Sequence, residues 1–447
     1  MIIGTSQVEI TPKPGVELSG FAARTQPSTG VLDSLYAKAL YFGGPKPGLL
    51  WIHCDLVGFD RSIVQAFRRW AGEELGLKEN QVMLSATHTH AGPCTIHLRE
   101  AGEYDPAYVE FLMGRLREAA TRAVANTVEC EMTCVEGRLN LAIDRRQTAS
   151  SHNDPRVAAL GFRRPDGKFA AAIVNYAMHP VALGPTNRLI SADVSGQASL
   201  ELARQLPGNP VVLMTNGACA NLNPPAENVP YSQVEQWGAQ IANAVGDLLR
   251  RAEPQRGAKL EVANRLVSLP LDVLDADGIT QFADKALRDA HHIAQWGDKY
   301  RRVVKYWSAT LLKSGHEEKK HHHEAELFGV RLGGIILIGA NAEVFSEFTD
   351  MLRGKGNARV YLIGYANGDV GYLPTRAAYA EGGYEVEVAH MFYGGFRPKA
   401  GGLELLASTA ADLVSQLERN GSDGPPHPGG LRPASGSAGA RASAGCH

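Results

Sequence analysis

Two features of the sequence predict an α/β fold whose sheets are mixed rather than purely parallel. Strand-like and helix-like segments alternate along most of the chain, and two tight hairpins join neighbouring apolar strands. The hairpins turn at Pro165-Asp166-Gly167 in "RPDGKF" and at Leu332-Gly333-Gly334, between "ELFGVR" and "IILIGA". Asp-Gly and Gly-Gly pairs supply the positive φ that such turns need, and a hairpin makes its two strands antiparallel. Leu35 to Phe42 and Leu49 to Asp55 read as strands, and Val82 to Ser85 as a short buried one. "RSIVQAFRRWAGEEL" places apolar residues at helical spacing. Further helices are expected at Ser195 to Leu206, Ser232 to Arg251, Thr280 to Leu312 and Leu403 to Leu417.

Composition narrows the class. The 447 residues are 44% hydrophobic and 21% charged, which fits a globular chain and excludes a disordered one. A net charge of -2 gives no electrostatic footprint for nucleic acid or for an anionic membrane surface. No run reaches the length of an uncharged membrane span, so no stable membrane insertion is expected. The start, "MIIGTSQVEITP", lacks a basic segment followed by an apolar one, and a cytoplasmic location is expected. The six cysteines form no C-x-x-C pair, in keeping with a reducing compartment. Cys130 and Cys134 read as ordinary strand residues. "SGHEEKKHHHEAEL", with His316 and His321 to His323, reads as a solvated helix end or loop. A catalytic domain over 1–419 is expected to precede a disordered Gly/Ser/Pro-rich tail over 420–447, with Cys446 an exposed thiol within it.

Chemistry collects where apolar strands open into loops. "ATHTHAGP" puts His88 and His90 two apart just beyond Val82-Met83-Leu84, a spacing that on an extended backbone turns both rings to one side. An exposed polar loop would account for an isolated pair of this kind. In "NYAMHPVALG", His179 follows the strand Ala170 to Tyr176; a lone histidine there serves equally as a satisfied core residue. In "IILIGANAEVFSEF", Glu343 follows a buried strand at the expected start of a helix, where a capping role would explain it. A third apolar strand opens into "YLIGYANGDVGYLPTRAAYAEGGYE", with Tyr372, Tyr379 and Tyr384. Two or three histidines with one carboxylate form the donor set of a catalytic zinc that keeps an open position. The G-x-S-x-G elbow, the Walker loop, H-E-x-x-H and G-x-G-x-x-G are all missing from the sequence, which removes support for serine-hydrolase and nucleotide readings.

Five ordered motifs between residues 8 and 384 resemble the neutral ceramidase family, zinc-dependent amidases that cleave the N-acyl bond of ceramide. "ATHTHAGP" resembles its T-H-T-H-S-G-P segment with Ala91 at the serine, and "VEITPKPGVELSGFAAR" its N-terminal segment. "NYAMHPVALG", "SADVSGQASLEL" and the tyrosine loop are similar to three more. The resemblance implies mixed β-sheets flanked by helices in an α-β-β-α-like layered catalytic domain. It implies zinc held by His88, His179, Glu343 and Tyr372, and His90, Tyr384 and Arg145 against the scissile amide. Zinc-activated water would attack, His90 and Tyr384 would donate to the oxyanion, and His90 could pass a proton to the leaving amine.

The chain departs from that family at "GACANLNPP", Gly217 to Pro225, where the family carries G-D-x-S-P-N. Asn223 stands at the serine and Asn221 at the aspartate, so an acyl-serine route is lost and Asn223 is left as a hydrogen-bond donor. Without a leader or the family's C-terminal β-sandwich, the expected substrate is a small, water-soluble N-acyl compound or ester rather than ceramide. Two rivals remain: a cysteine hydrolase using Cys219 or Cys94, and a binding protein that keeps the zinc pocket without turnover.

Overall fold

A computed structural model describes residues 1–44, 48–255, 258–314, 320–353 and 359–421. Among these residues three mixed sheets carry the fold. In the first, Val82–Ala86 runs parallel to Leu49–Cys54, which pairs antiparallel with Tyr36–Gly43, then Ile2–Glu9, then Thr127–Glu129. In the second, Val211–Asn216 runs parallel to Phe169–Tyr176, followed antiparallel by Arg156–Arg163 and Glu131–Arg138. The third orders Leu260–Pro270, His322–Leu332, Ile335–Ala340 and Arg359–Ile363, the last pair parallel. Both expected hairpins form, joining Arg156–Arg163 to Phe169–Tyr176 and His322–Leu332 to Ile335–Ala340.

The sheets meet in one apolar cluster containing Trp51 and Met83 from the first, Ile173 and Leu213 from the second, and Phe328, Leu337 and Ile363 from the third. Because these strands are covered on both faces, they read as continuous apolar runs; Leu49–Cys54 and Ile335–Ala340 are buried at every position. Each large side chain so buried contributes about 1.5–3 kcal/mol. Helices cover the outer faces: Pro106–Ala125 packs on Ile2–Glu9, Asp193–Gln205 lies against Tyr231–Arg251, and Gly402–Gly421 crosses Leu260–Pro270.

The helix Arg61–Leu75 shows how local sequence sets these boundaries. Asp60 accepts the Ser62 N–H at its start, Gly76 takes the left-handed conformation (φ 66°) at its end, and Ile63, Val64, Phe67 and Ala71 form its buried stripe.

Three expectations need correction. Thr280 to Leu312 is two helices, Ala276–Ala286 and Ala290–Lys313. Asp289 caps the second by accepting the His291 and His292 N–H groups, and Gly297 breaks it at φ 56°, ψ -133°. His322 and His323 belong to a strand paired with Leu260–Pro270, because "EAELFGVRL" continues that strand into the core; His316 lies outside the described residues. The last helix runs on to Gly421, and most of the expected tail, with Cys446, also lies outside the described residues.

Candidate metal centre

Four strand exits converge on one point. His88 follows Val82–Ala86, His179 follows Phe169–Tyr176, Glu343 follows Ile335–Ala340, and Tyr372 follows Arg359–Ile363. His88 Nδ1 lies 2.6 Å from the Val57 carbonyl oxygen and His179 Nδ1 lies 2.6 Å from that of Cys219. Each contact requires an N–H at Nδ1, which turns Nε2 of each ring to the same carboxylate: Glu343 Oε2 lies 3.2 Å from His179 Nε2 and 3.6 Å from His88 Nε2. Burial works against a charge on His179, but Cys219 and the Glu343 contact raise it to about 9, so a metal ion would displace its Nε2 proton.

The expected reason for the His pair's convergence does not hold. His88 is left-handed (φ 62°) rather than extended, as are Tyr365 (φ 55°) and Asn367 (φ 64°) nearby. Each such residue costs about 1–3 kcal/mol and persists only when its surroundings fix it. Here the Tyr365 ring stacks on His88 at 3.8 Å and 10°, and Asn367 Oδ1 accepts the Leu84 N–H. His90 still reaches the cluster: one ring nitrogen each of His88, His90 and His179 lies within 4.8 Å of the other two. Gly20 (φ 98°) makes room for it, since a Cβ there would sit 2.3 Å from the His90 ring. Arg24 fixes the loop by donating to the carbonyl oxygen of His90 at 2.8 Å.

Glu343 is not a helix cap. It lies on a two-residue strand, Glu343–Val344, paired parallel with Tyr372–Leu373, and the next helix begins only at Phe348. The ladder sets Glu343 beside Tyr372. Burial works against the Glu343 charge, but the two imidazoles and the Tyr393 hydroxyl, which donates to Oε1 at 2.6 Å, hold its carboxyl down to about 2. Asp369 Oδ2, 3.2 Å away, accepts from the same hydroxyl, and burial and Glu343 push its carboxyl well up. Burial lowers His88 to about 4 and His90 well below the usual histidine range. A neutral His90 suits hydrogen-bond donation better than proton delivery to a leaving amine. Its Nδ1 is buried without a hydrogen-bond partner.

A cleft of about 600 Å³ opens above these residues. Arg145 lines it, donating to Glu385 at 2.8 Å, Tyr372 Oη at 3.2 Å and Asn223 Oδ1 at 3.4 Å. Tyr384 lines it too, its ring 5.7 Å from those of Tyr372 and Trp296. Tyr379 does not; its hydroxyl donates to the Pro398 carbonyl oxygen instead. Asn223 reaches the cleft with its amide N–H donating to Glu227 at 3.1 Å, whereas Asn221 is structural, bonded to Asp144 and Ser346. Cys219 and Cys94 are buried outside the cleft lining, Cys219 Sγ 3.4 Å from Tyr365 Oη and Cys94 Sγ 3.0 Å from the Ile96 carbonyl oxygen. Sequence reasoning missed Tyr365, Tyr393, Asp369 and Glu385, whose roles arise from contacts distant in sequence.

Residues 1–222 match the model of the family described as neutral/alkaline non-lysosomal ceramidase, N-terminal. Neutral ceramidase of Pseudomonas aeruginosa is 26% identical over 219 residues, which are 44% of this chain and 32% of that protein. The matched stretch thus spans about a third of the curated relative. The crystal structure of neutral ceramidase from Pseudomonas aeruginosa gives a TM-score of 0.72 at 19% identity, covering 93% of this chain and 74% of that one. A ceramidase complexed with C2 gives 0.72 at 17%, covering 94% and 75%. At these identities the likeness shows the fold: a mixed α/β architecture shared over nearly the whole chain.

Proposed function

We propose, for a chain whose first 222 residues belong to the neutral/alkaline non-lysosomal ceramidase family, that it is a zinc-dependent hydrolase of N-acyl (amide) bonds. The observation that carries this reading is the convergence of two imidazole Nε2 atoms on one oxygen of an ionised glutamate, each ring oriented by a backbone carbonyl. That donor set, two imidazoles and one carboxylate beside an open cleft, fits a catalytic zinc. His88, His179 and Glu343 would hold the ion, with Tyr372 beside them as the fourth ligand. When bound, zinc supplies Lewis acidity, polarising an amide carbonyl and making water acidic enough to lose its proton near neutral pH.

The chain's own residues supply the rest. Arg145, kept charged by Tyr372 and Glu385 against the cost of burial, lowers the cost of negative charge on the Tyr372 oxygen and at the reacting carbonyl. His90 and Tyr384 serve as donors to that developing charge. The Asn223 amide, engaged by Arg145 and Glu227, sets the position of Arg145 and offers no nucleophile. Attack is therefore direct, without an acyl-enzyme.

The proposed substrate is water-soluble. A cleft of about 600 Å³ matches a compact ligand, and no helix among the described residues is long and apolar enough to cross a membrane. The test is turnover of a panel of short N-acyl compounds before and after chelation, with long-chain ceramide in vesicles as comparison. Loss of turnover on chelation, recovery with zinc and a higher kcat/KM for the soluble compounds are expected. Turnover indifferent to chelation would refute the zinc reading. A tenfold preference for vesicle ceramide, about 1.4 kcal/mol in transition-state binding, would refute the soluble-substrate reading.

A further inference from the structure

The cleft lining is of two chemical kinds. Phe21, Leu98, Trp296 and Phe392 are apolar, with Phe21 4.8 Å from the His90 ring and Trp296 5.8 Å from Phe392. Arg145, Arg146, Asn223, Glu227, Glu381 and Glu385 are its polar wall. The charges of this polar wall are almost all internally matched. Glu385 accepts from Arg145 at 2.8 Å and Arg146 at 2.7 Å, and Glu381 accepts from Arg146, Thr148 and Ser150. Glu343, below, faces the two histidines.

Glu227 is the exception. Among the described residues lining the cleft, it is the one Asp, Glu, Lys or Arg side chain with no Asp, Glu, Lys, Arg or His ion-pair partner within 4 Å. Among the described residues its one hydrogen bond comes from the Asn223 amide to Oε1, which leaves Oε2 open. The side chain is exposed, but the segment that carries it is braced. Pro224, Pro225 and Pro230 stiffen its segment, the Val229 N–H donates to the Ala182 carbonyl oxygen at 3.1 Å, and Asn228 Oδ1 accepts from the Thr186 hydroxyl at 2.7 Å. The chain thus presents one braced carboxylate without an ion-pair partner in a cleft that also carries an aromatic lining. Preorganised charge favours a ligand that brings the opposite sign, because no ordering of the site is needed on binding.

We infer that Glu227 selects substrates bearing a protonated amine, so that the N-acyl compound cleaved here carries an ammonium group on its polar part and a compact apolar or aromatic group on the other. This inference rests on the amidase reading for the word substrate, but the recognition itself is a property of Glu227 and can be measured without turnover. The probes are 4-phenylbutylamine, which is protonated at neutral pH, and its neutral isostere 4-phenylbutan-1-ol, titrated calorimetrically into the full chain as purified and into Glu227→Gln. The ammonium probe is expected to bind at least tenfold more tightly than the alcohol, and Glu227→Gln is expected to reduce that preference to about threefold or less. Equal binding of the two probes, or a preference that survives in Glu227→Gln, overturns the assignment.

The kinetic counterpart uses N-phenylacetyl-1,4-diaminobutane against N-phenylacetyl-4-aminobutan-1-ol with the zinc-loaded protein, where the ratio of kcat/KM should fall tenfold or more in Glu227→Gln. The two readings fail separately. Ammonium-selective binding by a chain that cleaves neither amide refutes the amidase and supports the Glu227 site; cleavage of both amides without selectivity does the reverse.

Discussion

His88 and His179, from the half of the chain that matches a family model, and Glu343 and Tyr372, from the half beyond it, reach the same point by different physical means. The imidazoles leave buried strands and are oriented by single carbonyl oxygens, of Val57 and Cys219. The acidic pair is set by a two-residue ladder and tuned from outside by Tyr393 and Arg145. The N-terminal half thus supplies oriented imidazoles, and the C-terminal half supplies the Glu343 carboxylate and the tyrosine beside it. On the proposed ligand set, neither half suffices alone.

This contrast predicts where the molecule breaks. The largest effect is expected at Glu385, the C-terminal carboxylate that holds Arg145 and Arg146 of the other half. Glu385→Ala leaves the largely buried Arg145 guanidinium without its ion-pair partner and Arg146 with Glu381 alone, and should destabilise the protein by about 3–5 kcal/mol, read from the urea midpoint. A cost below about 1 kcal/mol would mean that the halves are not joined there. Next comes Gly20→Ala, which forces a residue into φ 98° and a Cβ into the His90 ring. A loss of about 1–3 kcal/mol is expected, with a fall in turnover larger than the fall in metal content, since the proposed function sets His90 against substrate rather than in the ligand set. Equal falls in both would move His90 into the ligand set.

Acid stability sharpens the comparison with one buried histidine from each half. His53 is lowered to about 3 by burial and then by Lys38, and His390 to about 3 by burial and then by Arg397. Each binds its proton more readily in the unfolded chain, so its contribution is complete above about pH 6.5 and is lost as pH falls toward 3. Within that window each steepens the fall by about 1.4 kcal/mol per pH unit. His390→Phe, between Phe282 and Trp307, should flatten the acid limb of a urea titration by one proton; an unchanged slope would place that proton elsewhere. The smallest effect is expected from Cys219→Ala, which should keep turnover within about threefold and cost about 1 kcal/mol. A dead variant with its zinc intact would revive the cysteine mechanism.

Much of the site was legible because imidazoles at strand exits, punctuated by Gly and Pro, are rare enough to stand out: "ATHTHAGP" and "NYAMHP" gave His88, His90 and His179. Glu343 was found but misassigned to a helix start, since nothing local announces a two-residue strand whose partner lies 29 positions on at Tyr372. The Thr280 to Leu312 pattern kept its apolar period across Asp289 and Gly297, so periodicity alone hid two breaks that cap and φ chemistry impose. Tyr393 and Asp369 had no signal at all, because their work is a three-dimensional contact with Glu343. Where caps and turns set the ends of an element locally the reading was close; Arg61–Leu75 was read to the residue.

The central claim is that one zinc ion is held jointly by the two halves, and metal content measured by plasma mass spectrometry on wild type and single variants tests it most directly. Close to one zinc per chain is expected in wild type, retained in His90→Ala, and lost equally in His88→Ala and Glu343→Ala while the circular dichroism stays unchanged. Stoichiometric zinc retained in a His88→Ala, Glu343→Ala double variant would contradict the account.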